Sequence, residues 1–429
     1  MADLPVLRSG SSGPAVEFLQ LSLSRAGFSS GEVDGFFGPR TFDAVRRFQR
    51  TQSLTPDGIV GPNTYRRLIP YMQGFLIYTV RPGDTLYRIA QKFGITLKAL
   101  ITANPNTDPL SLSIGRQITV PLTFDVVPTN ISFTSTVLEF CVNGLSARYP
   151  FLRLNTIGNS VMGKPLYTLS IGTGVNEVFY NASHHANEWI TSPLLMKFLE
   201  EYCKSYALNM ELFPTSTQNL YSASTLHIAP MVNPDGVDLV TGLLNSGAYF
   251  GRAKALASNY PNIPFPSGWK ANISGTDLNL QYPAGWDEAK EIKFGQGFTL
   301  PGPRDYVGPS ALSAPESRAV YNFTRSNNFS LTLSYHSQGE VIYWKYLDYL
   351  PPKSEEIARI FGDLSGYAVE ETPYASGFAG YKDWFISEYN RPGYTIEVGL
   401  GSSPLPLSQF DTIYSDNLGI LSYGLTATA

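Results

Sequence analysis

Histidine is scarce in this 429-residue chain: there are four, alongside two cysteines. Cys141 and Cys203 have no metal-type spacing, which excludes a thiolate zinc cluster and a disulfide scaffold. They read as two small buried side chains, with a single disulfide as the alternative. No apolar run is long enough to cross a membrane. The opening stretch, Met1 to Ser12, lacks the charged-then-apolar pattern of a secretion signal. No basic cluster or nucleic-acid motif occurs, so DNA and RNA are not expected partners. Charged residues make up only 15% and hydrophobic residues 43%, the balance of a soluble globular protein rather than a disordered one.

The length predicts two or three domains. Net charge is −4 and uneven: residues 1–125 carry 13 Lys+Arg against 9 Asp+Glu, the remainder 18 against 26. A mildly basic front end favours an anionic polymer such as a cell wall. The aromatic share, 13%, leans toward pocket-bearing or carbohydrate-facing surfaces.

Three segments follow. The first, 3–70, carries an internal repeat: Asp34-Gly35-Phe36-Phe37-Gly38-Pro39-Arg40-Thr41 returns as Asp57-Gly58-Ile59-Val60-Gly61-Pro62-Asn63-Thr64. Each copy reads as a Gly-bearing turn running into a Pro at a helix start. Phe42, Val45 and Phe48 follow one copy at helical spacing, Tyr65 and Leu68 the other. With an earlier helix over about Ala15 to Ala26, this predicts a small three-helix domain. The second segment, 75–122, reads strand, helix, helix, strand. Its first helix is capped by Asp84 or Thr85 and ended by Gly94, and its second stops at Asn104-Pro105-Asn106. A linker over about Thr123 to Asn130 leads to a third segment, 131–429. There β-type runs alternate with helical ones, predicting an α/β fold with a mixed, mostly parallel sheet.

The chemistry concentrates in that third segment. His185 and Glu188 form H-x-x-E, two donors on one side of a helical turn. One more imidazole, for which His336 is the candidate, completes a His2Glu zinc site with an open position. His184 reads as packing or support, His227 as a hydrogen-bonded core histidine, and Glu200-Glu201 and Glu355-Glu356 as solvated helix faces. His185, His336 and Glu397 all lie at or near the ends of β runs, where α/β sheets place their sites.

In this order of residues the segment resembles the zinc carboxypeptidase family. His185-x-x-Glu188, His336 in Tyr-His-Ser, Asn233-Pro234-Asp235-Gly236, Trp269-Lys270, Asp277-Leu278-Asn279 and Glu397 in Thr-Ile-Glu-Val carry the likeness. The resemblance implies Zn2+ held by His185, Glu188 and His336, with Glu397 as the proton carrier. It implies Lys270 where the family has an oxyanion-stabilising arginine, Asn279 as a substrate contact and Tyr374 as the tyrosine over the substrate. One departure matters: the family reads D-x-N-R, and its arginine clamps a terminal carboxylate, whereas this chain has Leu280 there. An internal amide or a residue of unusual stereochemistry therefore suits it better than ordinary C-terminal trimming. The first segment resembles the peptidoglycan-binding domain and the second the LysM domain, whose partners are N-acetylglucosamine-containing glycans. The whole is similar to the sporulation-associated γ-D-glutamyl-diamino-acid endopeptidase branch. That implies hydrolysis of the γ-D-glutamyl–diamino acid amide in peptidoglycan stem peptides. The rival readings are a zinc carboxypeptidase acting on wall-derived or other peptides and a non-catalytic wall-binding protein. Expected compartments are the cell wall, the spore or, lacking a visible signal, the cytoplasm of a sporulating cell.

Overall fold

The computed structural model describes residues 4–109 and 111–429. Asp3, where the first expected segment begins, and Leu110, inside the second, lie outside the described residues. The chain divides into two compact units, Met1–Arg153 and Leu154–Ala429.

The first unit opens with α1 (Pro14–Arg25), α2 (Pro39–Thr51) and α3 (Pro62–Gln73). Pro39 and Pro62 each occupy a first-turn position, where the missing N–H costs nothing. The repeat has a physical cause. Gln20 Nε2 donates to Asp34 Oδ1, Phe36 O and Thr41 Oγ1 at 2.7, 3.1 and 3.0 Å. Gln49 Nε2 donates to Asp57 Oδ1, Ile59 O and Thr64 Oγ1 at 2.9, 3.0 and 3.2 Å. Each glutamine Oε1 accepts a glycine N–H, from Gly35 at 3.0 Å and Gly58 at 2.9 Å. Each repeat is thus a loop strapped to the preceding helix by one buried carboxamide.

Next come β1 (Phe75–Thr79), α4 (Leu86–Phe93), α5 (Leu97–Ala103) and β2 (Gln117–Pro121), with β1 and β2 antiparallel. Thr85, not Asp84, caps α4 by accepting from Arg88 N at 3.2 Å. Asp84 instead accepts from Arg81 N and Tyr78 Oη, both at 2.8 Å. Asn104 stitches α5 to β2 through Leu100 O, Thr119 O and Thr119 N.

The stretch expected as a linker is packed rather than free. Val126, Val127, Ile131 and Phe133 are buried, and Arg25 donates to the carbonyls of Asp125 and Val126. The helix that follows, α6 (Ser135–Arg148), also belongs to the first unit. Its Arg148 guanidinium donates to Gly74 O and Leu122 O. The compact boundary therefore falls after Arg153 and not near residue 130.

The second unit is built on an eight-stranded sheet: β3 (Arg153–Asn159), β4 (Pro165–Gly172), β5 (Asn176–Ala182), β6 (Ser224–Ala229), β7 (Leu331–His336), β8 (Val341–Tyr343), β9 (Ala368–Glu370) and β10 (Gly393–Glu397). The spatial order is β3-β4-β6-β5-β7-β10-β8-β9. The central pairs β6–β5, β5–β7 and β7–β10 are parallel; β4–β6 and β8–β10 are antiparallel. All six residues of β6 and β7 are buried, as expected for strands covered on both faces. Both cysteines are buried thiols, and no disulfide joins them.

One local expectation is corrected. Glu200 is not a solvated side chain: it is 1% exposed, on a helix (Thr191–Leu208) that buries most of its first four turns. Another helix, Pro315–Arg325, has Ala314 at its cap, and the Ser313 hydroxyl before it donates to Gln281 Oε1.

Replacing Gln49 by Leu strands the buried loop donors and acceptors around it and is expected to cost roughly 2–3 kcal/mol. Hydrogen exchange at the Gly58 amide measures this; unchanged protection would contradict the strapping role.

Candidate metal centre and active site

The parallel pairing of β7 with β10 sets His336 directly beside Glu397 in register, each the last residue of its strand. His185 follows β5 by three residues and caps a short 3₁₀ turn, Ala186–Glu188, not an α-helical one. That turn swings Glu188 back under His185. His185 Nδ1 lies 2.9 Å from Glu188 Oε1, and His336 Nδ1 lies 2.9 Å from Glu188 Oε2. The two Nδ1 atoms are 3.2 Å apart.

This donor set fits a zinc ion. Two ligands of one tetrahedral ion at about 2.0–2.1 Å sit roughly 3.3 Å from each other, close to the observed nitrogen separation. One donor atom from each of the three residues falls within 4.8 Å of the others. Two imidazole nitrogens facing each other at that distance need a cation between them or a proton on one.

The field around them favours a cation. Burial alone would raise the Glu188 carboxyl, but the charges of His185 and Lys270 outweigh it and hold it well below the ordinary range. Burial pulls the His185 imidazolium down, yet Glu188 and Asp277 overcome that and bring it up to about 9. His336 stays below its ordinary value, because burial outweighs the pull of Glu188.

Asp277 holds the far side of His185: its Oδ1 is 3.2 Å from His185 Nε2. It also accepts from Asn279 N and Asp305 N at 3.1 Å. Asp277 entered the sequence comparison only as part of a motif; the structure sets it against the outer nitrogen of His185, where it fixes that ring. Asn233 has a similar hidden duty. Its Oδ1 caps the helix Pro234–Thr241, and its Nδ2 faces His184 O and Ala271 O, tying the His184-His185 segment to the Lys270-Ala271 segment. The expected N-P-D-G turn is therefore a helix start that clamps two site loops together. His184 Nε2 pairs with Tyr282 Oη at 2.9 Å, and His227 Nδ1 with Ser170 Oγ at 2.9 Å, so neither joins the cluster.

A cavity of about 250 Å³ opens over the cluster. Glu397, Lys270 and Asn279 line it with His185 and His336. Lys270 Nζ lies 3.0 Å from Glu188 Oε1. Burial would lower that ammonium, but Glu188 and Glu397 keep it above its ordinary value. Burial, reinforced by the Glu188 charge, pushes the Glu397 carboxyl up to about 8. Asn279 Oδ1 accepts from Tyr381 N at 3.0 Å, leaving its amide nitrogen as the group able to meet a ligand.

Leu280 lines the same cavity and packs into an apolar cluster with Tyr282, Phe378 and Trp384. Tyr374 is not brought in: it is 70% exposed, and its ring stands edge-on to Phe378 while Pro373 and Ser376 line the cavity. Sequence reasoning missed Arg304, Lys293, Asp305, Lys382 and Asp383, all of which line the cavity. No local pattern marks them, because they come from the last turn of one helix, a loop and the first turn of another helix, all far from the ligand motif in sequence.

A sequence model of the zinc carboxypeptidase family matches residues 139–419, a peptidoglycan binding domain model residues 12–68, and a LysM domain model residues 78–121. The chain is similar to Gamma-D-glutamyl-L-diamino acid endopeptidase 1 of Lysinibacillus sphaericus, at 42% identity over 81% of this chain and 98% of that protein. It is similar to the uncharacterized protein YqgT of Bacillus subtilis (strain 168), at 41% identity over 64% of this chain and 72% of the relative. Among solved structures, bovine thrombin-activatable fibrinolysis inhibitor aligns with a TM-score of 0.54 at 20% identity, over 69% of this chain and 96% of that one. That likeness speaks to the fold alone.

His336→Ala is expected to abolish stoichiometric zinc binding, and Asp277→Ala to weaken it roughly 10–100-fold. Metal analysis after dialysis against a graded chelator checks both; full zinc retention by His336→Ala would break the ligand set.

Proposed function

Because the chain belongs to the zinc carboxypeptidase family, we propose that it is a zinc-dependent peptidoglycan hydrolase cutting the amide between the γ-carboxyl of D-glutamate and the diamino acid of stem peptides. The observation that carries this is the 42% identity to a γ-D-glutamyl-L-diamino acid endopeptidase along 98% of its length, joined to the His185–Glu188–His336 cluster. Leu280 supports it: an apolar side chain at that place holds no terminal carboxylate. The chain carries peptidoglycan-binding and LysM domains, which associate it with the wall. We read it as three functional segments, 3–70, 75–122 and 131–429, although α6 packs with the first two.

His185, Glu188 and His336 would hold the zinc. When bound, zinc supplies Lewis-acid chemistry, polarising the amide carbonyl and letting water ionise near neutral pH. Glu397 takes a proton from the attacking water on a carboxylate oxygen and passes it to the departing amide nitrogen. Its elevated affinity for a proton suits both halves of that relay. Lys270 Nζ presents positive charge to the developing oxyanion while bracing Glu188. Asp277 fixes the His185 ring, and Asn279 offers its amide nitrogen to the substrate backbone. The wall-binding segments raise the local concentration of stems around a weakly binding site.

Mass spectrometry of products from a defined muropeptide tests the bond cut; release of a C-terminal amino acid alone would favour the carboxypeptidase reading. Glu397→Gln should lower kcat by at least roughly 10²-fold with zinc retained. The acid limb of kcat/KM should lie above 4.5, the ordinary glutamate value. A limb at or below it would remove Glu397 from the role. N-acetylglucosamine oligomers should inhibit hydrolysis of intact wall more than that of a soluble stem peptide, and equal inhibition would contradict tethering.

A further inference from the structure

Four arginines of the first unit share an open cavity that the proposed reaction does not use. The sequence reads as having no basic cluster, but the winding of α2 makes one. Arg46 and Arg47 stand one turn before Arg50, and Arg40 stands two turns before Arg47. With the loop Ser29-Ser30-Gly31 they line a cavity of about 620 Å³. Asp43 is the one acid in that lining, which leaves three positive charges over. Among the described residues no carboxylate forms an ion pair with any of the four arginines.

Two of the guanidiniums are nevertheless held in place. Arg47 Nη2 donates to Ser29 O at 3.1 Å, which ties it to the loop. Arg46 Nε donates to Pro56 O at 3.0 Å, and its guanidinium stands 5.5 Å from the Phe42 ring centre. A guanidinium has five donors, and each of these two spends one on the protein. Ser30 Oγ, in the same lining, is shielded from solvent and meets no protein partner. A hydroxyl without a partner beside guanidiniums without acids points to a ligand rich in acceptor oxygens.

The class of anion follows from the residue types. Residues 1–74 hold no lysine, so every side-chain ammonium or guanidinium there is the planar fork that matches phosphate oxygens. At about 1.5 Å of rise per residue, Arg40 and Arg50 lie roughly 15 Å apart along the helix. That is too far for one phosphate and suits successive ones on a strand. A second cavity, of about 680 Å³, shares Ser30, Gly31 and Arg40 with the first and adds Glu32 and Asp34. Acids repel a uniformly anionic chain but accept hydrogen bonds from hydroxyls. The two cavities together suit a strand in which phosphates alternate with hydroxyl-bearing carbons.

We propose that this face of the first unit binds a polyol-phosphate polymer of the cell wall. The arginines take phosphodiester oxygens, Ser30 donates to one of them, and Glu32 accepts from a polyol hydroxyl. The site is apart from the catalytic cavity and does not depend on which amide that cavity cuts.

The test titrates the full-length zinc-loaded protein with walls carrying poly(glycerol phosphate) and with the same walls stripped of it by hydrofluoric acid, which spares the peptidoglycan. Binding to the untreated walls should be roughly 10–100-fold tighter, the worth of one or two charged hydrogen bonds. The difference should shrink as salt rises. Soluble poly(glycerol phosphate) should compete, and single-stranded DNA of equal charge should compete less well. The double variant Arg47→Gln/Arg50→Gln should bind both walls alike, at the level of the stripped ones; its binding to stripped walls reports that it folds. The wild-type comparison decides the matter even where that variant folds poorly. Equal wild-type binding to the two walls overturns the inference, as does DNA competing as well as the polyol phosphate. Either result leaves the proposed hydrolysis standing.

Discussion

One carboxylate organises the catalytic unit. Glu188 faces His185 with one oxygen and His336 with the other, while Lys270 and the Ser337 N–H close in on the same group. It is 1% exposed, so its charge is poorly screened, and every neighbour is positioned relative to it. Without Glu188 two imidazoles would face each other with nothing between them, and Lys270 would lose the carboxylate 3.0 Å from its Nζ. The 3₁₀ turn Ala186–Glu188, the Asn233 clamp and the β5–β7–β10 ladder all serve to deliver side chains to that point.

The two units solve different physical problems. In the first, the same glutamine device is used twice, each buried carboxamide strapping one repeat loop to the helix before it. The second covers its central strands on both faces, which leaves only strand ends free to carry polar chemistry. The site therefore lies at the carboxyl edge of the parallel strands, where backbone geometry is regular and side chains project beyond the sheet.

Much of this was legible in the residues. H-x-x-E pointed to two donors that spacing alone brings together, as the structure does, and His336 and Glu397 stood out at the ends of apolar runs. The parallel sheet followed from alternating strands and helices, and the helical repeat from its Gly and Pro punctuation. What stayed hidden was long-range pairing. Nothing near Asp277 in the chain says that it will meet His185 Nε2, nor that Asn233 will bridge two other loops. Glu200 looked solvated because it adjoins Glu201, but the tightly covered helix beneath it decided otherwise. Tyr374 was placed by analogy of motif, and loop geometry set it outside the cavity wall. The segment after residue 122 looked like a tether for its proline, yet its alternating apolar residues found a surface to pack on.

The registration of His336 beside Glu397 has a wider meaning. Their separation is set by main-chain ladder bonds, which any sequence of that strand pair would make. The histidine and the glutamate are thus fixed by backbone, whereas much of the remaining cavity lining comes from the segments 293–305 and 372–383. Substitutions there would change the shape and charge of the cavity without touching the strand pairing that holds those two side chains abreast.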